Sequence, residues 1–332
     1  MKALRIGVLG AARVAPDALV QPAAGLPEVE VVAVAARDPE RARKYARRHG
    51  IPAWLPGYQE LLDHPDIDAV YIALPNSAHA TWTRRALRAG RHVLCEKPFT
   101  CNAAEAELIA KEAAESGLVV MEAMHYRYHP LIGRAMELLD EGILGGVERV
   151  EAANCFPVPR SDDVVASLAL GGGATMMNGC YALHALRLLG GAEPRVVSAR
   201  ATLRRPGVDR SMTADLLFPS GAGGRFACSL GWRPRPAMSI RVTGERGSMR
   251  VRGYLMPHVY NRIEVRTGRG AIRERVRGEP SYHYQLRAFA DAVLHGGRVA
   301  TDPGDAAATM RLIDEVYTAA GLPRRGTASE AG

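Results

Sequence analysis

Over the first 123 residues the apolar positions fall in short runs, and the gaps between runs carry helix punctuation. Arg5-Ile6-Gly7-Val8-Leu9 and Glu30-Val31-Val32-Ala33-Val34-Ala35 read as buried strands. Asp38-Pro39 then opens a helix as N-cap and first-turn proline, and Gly50 closes it. Ala69 to Leu74 is another apolar strand, stopped by Pro75, and a helix from about Ala78 to Ala89 ends at Gly90. Val93-Leu94-Cys95 and Val119-Val120-Met121 are short strands. Between them Asn102 and Glu105 make a capping-box-like start for a helix to Ser116. Strands alternating with helices in this way predict a parallel sheet wrapped by right-handed crossovers.

The pattern changes after residue 123. One helix runs from Pro130 to about Glu141. Strand-like runs follow at Val147 to Phe156, Arg195 to Leu203, Thr213 to Phe218, Arg225 to Leu230 and Ser239 to Thr243, with a helix around Cys180 to Leu189 among them. Two helices close the chain, near His283 to His295 and Asp305 to Ala320. The expected organisation is an α/β dinucleotide-binding domain with a doubly wound parallel sheet (residues 1–123). An α+β domain follows (124–322), then a frayed tail of small and polar residues from Pro323 to Gly332.

The length of 332 residues accords with two domains at about 150 residues each. A hydrophobic fraction of 47% excludes intrinsic disorder. No apolar stretch approaches the roughly 18 residues of a membrane span, and Met1 to Gly10 lacks a signal-peptide layout. Five cysteines without a C-x-x-C pair argue against a disulfide framework or zinc ribbon and predict a reducing cytoplasm. No metal constellation is present. The net charge is +8 and is concentrated between Arg241 and Arg277, where ten arginines face three glutamates. That block alternates, as in Arg262-Ile263-Glu264-Val265-Arg266, and reads as the solvent face of an antiparallel sheet. It could instead attract an anionic substrate or DNA, but no nucleic-acid motif accompanies it.

The first strand runs into Gly10-Ala11-Ala12-Arg13-Val14-Ala15, a G-x-A-x-x-A variant of the dinucleotide fingerprint. Such a turn brings backbone N–H groups to a pyrophosphate at a helix N-terminus. The second strand ends in Ala36-Arg37-Asp38. With Asp38 assigned to helix capping, the carboxylate that NAD would need at the strand tip is missing. Arg37 instead suits the 2′-phosphate of NADP, which is favoured over NAD.

Three further segments carry a family resemblance: Ala73-Leu74-Pro75-Asn76-Ser77-Ala78-His79, then Gly90-Arg91-His92-Val93-Leu94-Cys95-Glu96-Lys97-Pro98, then Gly171-Gly172-Gly173-Ala174-Thr175-Met176-Met177-Asn178-Gly179-Cys180-Tyr181. Together with the Gly10 turn and the run from Met121 to Pro130, they resemble the Gfo/Idh/MocA oxidoreductases from about residue 4 to 320, and most of all the dihydrodiol dehydrogenase and NADP-dependent sugar ketoreductase branches. The resemblance implies a Rossmann domain followed by an α+β domain with an open, mostly antiparallel sheet. It implies a nicotinamide held between them, a small-molecule substrate that is a sugar, cyclitol or cyclic alcohol or ketone, and a homodimer or homotetramer formed through the open sheet. Nucleic-acid and membrane partners are not expected.

The resemblance also implies site residues. Lys97 stabilises developing alkoxide charge, with Glu96 holding its head. Tyr181 is the proton donor or acceptor; its ordinary pKa of about 10 requires a cationic neighbour, which Lys97 would supply. Cofactor contacts fall on Gly10, Ala11, Ala12, Arg13, Val14, Arg37, Leu74, Pro75, Asn76, His79, Glu96, Lys97 and Arg127. Substrate contacts fall on Lys97, Tyr128, Met177 and Tyr181. Asp162 and Asp163, in the loop before the glycine run, are further candidates.

One departure stands out: the family's motif aspartate falls on Met177. Either the substrate lacks the hydroxyl that an aspartate would grip, or His184 takes over part of the relay, or catalysis is weak. His184 reads equally as a helix histidine facing the core. Two alternatives to net oxidoreduction remain open: transient use of bound NAD(P) for epimerisation or elimination, and a cofactor-binding regulator without turnover.

Overall fold

The computed structural model describes residues 3–158, 164–231 and 237–326. These divide into two compact units. The first comprises the described parts of Met1–Thr100, Ala104–Tyr128 and Tyr282–Ala307, and the second those of Cys101–Ala103, His129–Ser281 and Ala308–Gly332. No described helix is long and apolar enough to cross a membrane.

In the first unit six parallel strands are β1 (Leu4–Leu9), β2 (Val29–Ala35), β3 (Ala53–Leu55), β4 (Ala69–Ile72), β5 (His92–Cys95) and β6 (Val120–Glu122). Their order across the sheet is β3-β2-β1-β4-β5-β6, the doubly wound arrangement, with its switch point between β1 and β4. The strands are apolar on both faces because the sheet is covered on both sides; all four residues of β4 are buried. The connecting helices are α1 (Gln21–Ala24), α2 (Pro39–His49), α3 (Tyr58–Asp63), α4 (Asn76–Arg88) and α5 (Ala103–Ser116).

Asp38 caps α2 as expected, accepting from the Glu40 N–H at 3.0 Å, and Gly50 ends it in the left-handed region. The first crossover differs from an ordinary long helix. Pro16–Val20 forms a π-helical turn and α1 adds only four residues, with Pro16 and Pro22 each removing a backbone donor.

The second unit begins with α6 (Pro130–Asp140), and α7 (Cys180–Gly190) lies at its centre. An eight-stranded sheet is built from β7 (Val147–Cys155), β8 (Arg195–Arg205), β9 (Val208–Leu217), β10 (Gly223–Ser229), β11 (Ala237–Gly244), β12 (Gly247–Arg252), β13 (Arg262–Thr267) and β14 (Gly270–Glu274). The order is β14-β13-β12-β11-β7-β10-β9-β8, and only the β7–β10 pair is parallel. Helix α7 packs on β7, β10 and β11 and is buried almost all round.

Alternate residues of the sheet, including Ile240, Val242, Met249, Val251, Ile263 and Val265, are buried. The basic block occupies the other face, so the reading of Arg241–Arg277 as an exposed sheet face holds. The strand register lines up Glu264, Arg250, Arg241, Glu151, Arg225 and Asp215 in one row across that face.

Helices α8 (Ser281–His295) and α9 (Pro303–Ala319) follow. Two expectations are corrected here. The split at 123/124 omits a return: Leu286, Phe289 and Ala290 of α8 join the core formed by Leu4, Ile6 and Val8 of β1. The tail does not fray from Pro323, because Arg325 is fully buried; residues 327–332 lie outside the described residues.

Candidate active site

The site residues of the first unit gather at the carboxyl ends of β1, β2, β4 and β5, where ligands of open α/β sheets bind. Gly10 has φ +107°, and a Cβ there would lie 2.5 Å from the Ala73 carbonyl oxygen; only glycine makes this turn. Its N–H donates to Ala35 at the end of β2. The turn is tied to α2 as well. The Arg41 guanidinium donates to the Ala11 carbonyl at 2.9 Å, and the Tyr45 hydroxyl donates to the Ala12 carbonyl at 2.7 Å. Ala11 is buried, Ala12 and Val14 are half-buried and Arg13 is exposed.

At the tip of β2 Ala36 is buried and Arg37 exposed. Tyr58, at the start of α3, stands edge-on to Trp82. Burial pushes its hydroxyl pKa up, opposed by the positive charges of Arg37 and Arg41 and a hydrogen bond to the Arg37 backbone. Arg37 and Arg41 are both exposed beside the strand tip, and Asp38 caps α2. Arg41 escaped the sequence reading, because it lies inside α2 whereas Arg37 precedes the helix cap, so no helical spacing links the two.

Leu74, Pro75 and Asn76 follow β4, half-buried, with Pro75 capping α4. His79 corrects an expectation. It is fully buried, with Nδ1 2.9 Å from the Pro98 carbonyl and Nε2 2.9 Å from the Leu74 carbonyl. It clamps two loops together and has no surface to offer a cofactor.

The Glu96–Lys97–Pro98 loop leaves β5, with a cis Lys97–Pro98 bond. Glu96 is buried and anchored. Its Oε1 accepts from the Tyr71 hydroxyl at 2.6 Å and its Oε2 from the Lys97 N–H at 3.3 Å. Burial raises the Glu96 pKa, while the Lys97 charge and the Tyr71 hydrogen bond pull it back down. The attraction between Glu96 and Lys97 was anticipated; the Tyr71 anchor was not. Lys97 is half-buried.

Tyr282 belongs to the same neighbourhood. Its ring lies 4.3 Å from that of His125, and its pKa is raised by burial and then by the charges of Glu96 and Asp17. It lies 186 residues beyond Glu96 in the chain, so no local pattern pointed to it. Arg127 is half-buried in the 3₁₀ turn His125–Tyr128. The Tyr128 hydroxyl is committed to Thr301, 2.8 Å from its Oγ1, and burial pushes its pKa up to about 12. Tyr128, expected near the substrate, is half-buried, with its hydroxyl tied to Thr301.

In the second unit Gly172 and Gly173 leave no room for a side chain. A Cβ on Gly172 would lie 2.5 Å from the Val164 carbonyl oxygen, and one on Gly173 would lie 2.1 Å from Asp209 Oδ1. The chain then forms a π-helical turn, Thr175–Gly179, which runs directly into α7. Asn178 ties the turn to the sheet, its Nδ2 donating to the Ser229 carbonyl at 2.9 Å, while Asn154 Nδ2 donates to the Asn178 carbonyl at 3.0 Å. Met177 is half-buried in the turn. Tyr181 is 6% exposed and His184 2%, three residues apart on one face of α7. Asp162 and Asp163 lie outside the described residues. Among the described residues no group of acidic, histidine or cysteine side chains could hold a metal ion.

Comparison with known proteins matches both units in chain order. A family model described as an oxidoreductase family with an NAD-binding Rossmann fold covers residues 4–124, and the C-terminal domain model of the same family covers residues 132–250. The chain is 35% identical to a D-xylose 1-dehydrogenase (NADP(+)) of Haloferax volcanii, over 96% of this chain and 97% of the relative. It is 36% identical to a dTDP-3,4-didehydro-2,6-dideoxy-alpha-D-glucose 3-reductase of Streptomyces violaceoruber, over 97% of both. The crystal structure of a 3-ketoreductase from Actinomadura kijaniata, in complex with NADP and TDP-benzene, superposes with a TM-score of 0.88. It is 30% identical, with 96% of this chain and 98% of that one covered. With its doubly wound sheet, its Glu-Lys-Pro loop and full-length relatives of this kind, the chain belongs to the Gfo/Idh/MocA oxidoreductase family.

Proposed function

We propose that the chain is an NADP(H)-dependent oxidoreductase acting on a sugar-like, cyclitol or cyclic alcohol or ketone. The observation that carries this is the tip of β2, where Asp38 caps α2, Arg37 is exposed, and Arg41 reaches from α2 to the Ala11 carbonyl of the glycine turn. A 2′-phosphate suits such a pair of guanidiniums, and the ribose-binding acid that NAD prefers is missing there. An NADP(+)-linked xylose dehydrogenase and a deoxysugar 3-reductase among the relatives support the same reading.

The nicotinamide, when bound, supplies or accepts the hydride. The residues present fit that group: the Gly10–Ala12 turn, locked by Arg41 and Tyr45, is built for a pyrophosphate, with Arg13 and Val14 beside it. Leu74, Pro75, Asn76 and Arg127 would complete the cofactor's surroundings. Lys97 carries positive charge toward the carbinol oxygen, held in place from behind by Glu96, and so stabilises alkoxide character. Tyr181 holds the proton that this oxygen gains on reduction and loses on oxidation. Met177 offers no acceptor, which suits a substrate with fewer hydroxyls than a full hexose. The deoxysugar acted on by the Streptomyces relative fits that description.

The test is a screen of sugar and cyclic ketones with NADPH, on the native protein and on Lys97→Met and Tyr181→Phe. Turnover should fall by roughly 10²–10⁴ in each variant, with NADPH binding retained in Tyr181→Phe. Interconversion of substrate with no net NADPH consumption would replace this reading by transient cofactor use, and binding without any turnover by a regulator.

We further propose a homo-oligomer through the open sheet face. Arg241 and Arg250 stand directly opposite one another there and are flanked in register by carboxylates of the same chain, so this face carries a row of mixed charge that suits the same row of a second copy. The same row carries those carboxylates in Glu264, Glu151 and Asp215. Light scattering coupled to size exclusion should report more than one chain, and Arg241→Glu should reduce that mass. All five cysteines are buried free thiols, which supports a cytoplasmic location.

A further inference from the structure

The segment after α9 returns to the glycine run. Arg325 is fully buried, and its guanidinium is shared among three partners: Nη2 donates to Asp209 Oδ1 at 3.0 Å, Nε to the Gly172 carbonyl at 2.9 Å and Nη1 to the Pro323 carbonyl at 2.9 Å. The guanidinium lies over the Tyr317 ring, 3.9 Å from its centroid. Asn102 donates to the Arg325 carbonyl at 3.0 Å and fixes this segment from the other side.

Asp209 is equally buried and carries the connection onward. Its Oδ1 also accepts from the Tyr317 hydroxyl at 2.9 Å. Its Oδ2 accepts from both the Thr175 N–H and the Thr175 hydroxyl, each at 2.7 Å. Thr175 is the first residue of the π-helical turn that leads into Tyr181. Gly173 is pressed so closely on the cluster that a Cβ would strike Asp209.

A buried ion pair is a poor device for stability alone, since well-packed apolar residues of the same volume often serve as well or better. Here it grips one element at two points, the Gly172 carbonyl and Thr175. A single-turn π bulge is a rare departure from α-helical hydrogen bonding that recurs at functional sites, and here Asp209 and Arg325 hold the segment that enters it. Loss of the π register would rotate Met177 and the start of α7, with Tyr181, relative to the Gly172 and Thr175 backbone that the cluster holds.

We propose that Arg325 is a positioning residue. Acting through Asp209 and Gly172, it holds the Thr175–Gly179 turn in its π register and thereby fixes where Met177 and the Tyr181 hydroxyl meet the substrate. The proposal rests on the reading of Tyr181 as the proton-transfer group.

The test uses the full chain and four variants: Arg325→Lys, the charge-free pair Arg325→Met/Asp209→Leu, Thr175→Val and Tyr181→Phe. Unfolding midpoint, NADPH affinity, kcat, KM and the pH profile are measured on the same samples. The double variant should fold and bind NADPH as the native protein does, with kcat reduced roughly ten- to a hundredfold, the loss expected when a reacting group is misplaced by about 1 Å. Its pH profile should also shift on the limb assigned to Tyr181. Arg325→Lys, which keeps the charge at Asp209, should recover part of kcat.

Thr175→Val leaves the ion pair intact and cuts only the hydroxyl link to the turn, so it decides the matter if the Arg325 variants fail to fold; kcat should again fall. Native kcat and pH profile in a folded double variant, or in Thr175→Val, would overturn the proposal. If Tyr181→Phe itself turns over at the native rate, the reading of Tyr181 has failed instead.

Discussion

Replacing Tyr71 by Phe tests the anchor beneath the Glu96–Lys97 loop. Tyr71 is fully buried on β4, and its hydroxyl meets Glu96 Oε1 at 2.6 Å, a short contact of the kind a charged acceptor makes. Phe keeps the ring and its packing, so the change removes one hydrogen bond and leaves no cavity of consequence. A hydrogen bond to a charged group contributes about 1.5–3 kcal/mol, and the buried carboxyl has few other partners. At about 2–4 °C per kcal/mol for a unit of this size, the melting temperature should drop by roughly 3–12 °C.

The substitution should also change how stability depends on pH. Glu96 has a raised pKa in the folded state, so the fold holds its proton more tightly than the unfolded chain does. That contribution is complete below the ordinary carboxylate range and is lost as pH rises through the raised value. Without Tyr71 the pKa rises further, so the loss should extend to higher pH, and the acid limb of the rate profile should move the same way. Differential scanning calorimetry across pH 5–8, with steady-state rates on the same samples, measures both. Native melting temperature and an unshifted acid limb would mean that the Tyr71–Glu96 bond does not hold the loop in solution.

Asp38→Asn keeps a good capping side chain, so stability should stay within a few tenths of a kcal/mol and the NADPH-to-NADH preference should not move toward NADPH. A selective loss of NADH binding would show that Asp38 serves the ribose. His129 Nδ1 accepts from the Leu131 N–H at the start of α6, and burial, with the neighbouring His258 charge second, pushes its pKa down to about 4. The unfolded chain therefore takes up a proton that the fold refuses, and stability should fall as pH drops from about 6.5 toward 4. His129→Asn, which retains an acceptor, should flatten that part of a urea-denaturation series; an unchanged slope would refute the assignment. Met177→Asp should raise kcat/KM for polyhydroxylated sugars relative to deoxygenated ones, and identical ratios would make the position irrelevant to selectivity.

The Rossmann sheet was legible because buried parallel strands read as uninterrupted apolar runs between helix signals, and because α2 is bracketed by a capping Asp38, a φ-fixing Pro39 and a Gly50 free to enter the left-handed region. The Gly10 turn and the Glu-Lys-Pro loop were legible as motifs. What escaped depends on distance along the chain. Arg325 looked like part of a polar tail because its partner Asp209 is 116 residues away. Tyr282 and α8 looked like part of the second domain because nothing local says that Leu286 and Phe289 pack with β1. His79 read as a cofactor ligand because a polar residue after a strand tip carries no mark of the two carbonyls that bury it. Strand β12 was missed because arginines at alternate positions leave only short apolar signals at Met249 and Val251, and β14 because its five residues include just two apolar ones and lie mostly exposed.

The central claim is that the strand-2 tip is built for a 2′-phosphate. A fluorescence titration with NADPH and with NADH, on the native chain, Arg37→Ala and Arg41→Ala, tests it most directly. NADPH should bind the native chain roughly ten- to a hundredfold more tightly than NADH, the effect of one charge-assisted phosphate contact. Arg37→Ala should erase that advantage and leave NADH untouched. Arg41→Ala should weaken both cofactors, because Arg41 also holds the Ala11 carbonyl of the turn. Equal or tighter binding of NADH to the native chain would contradict the account.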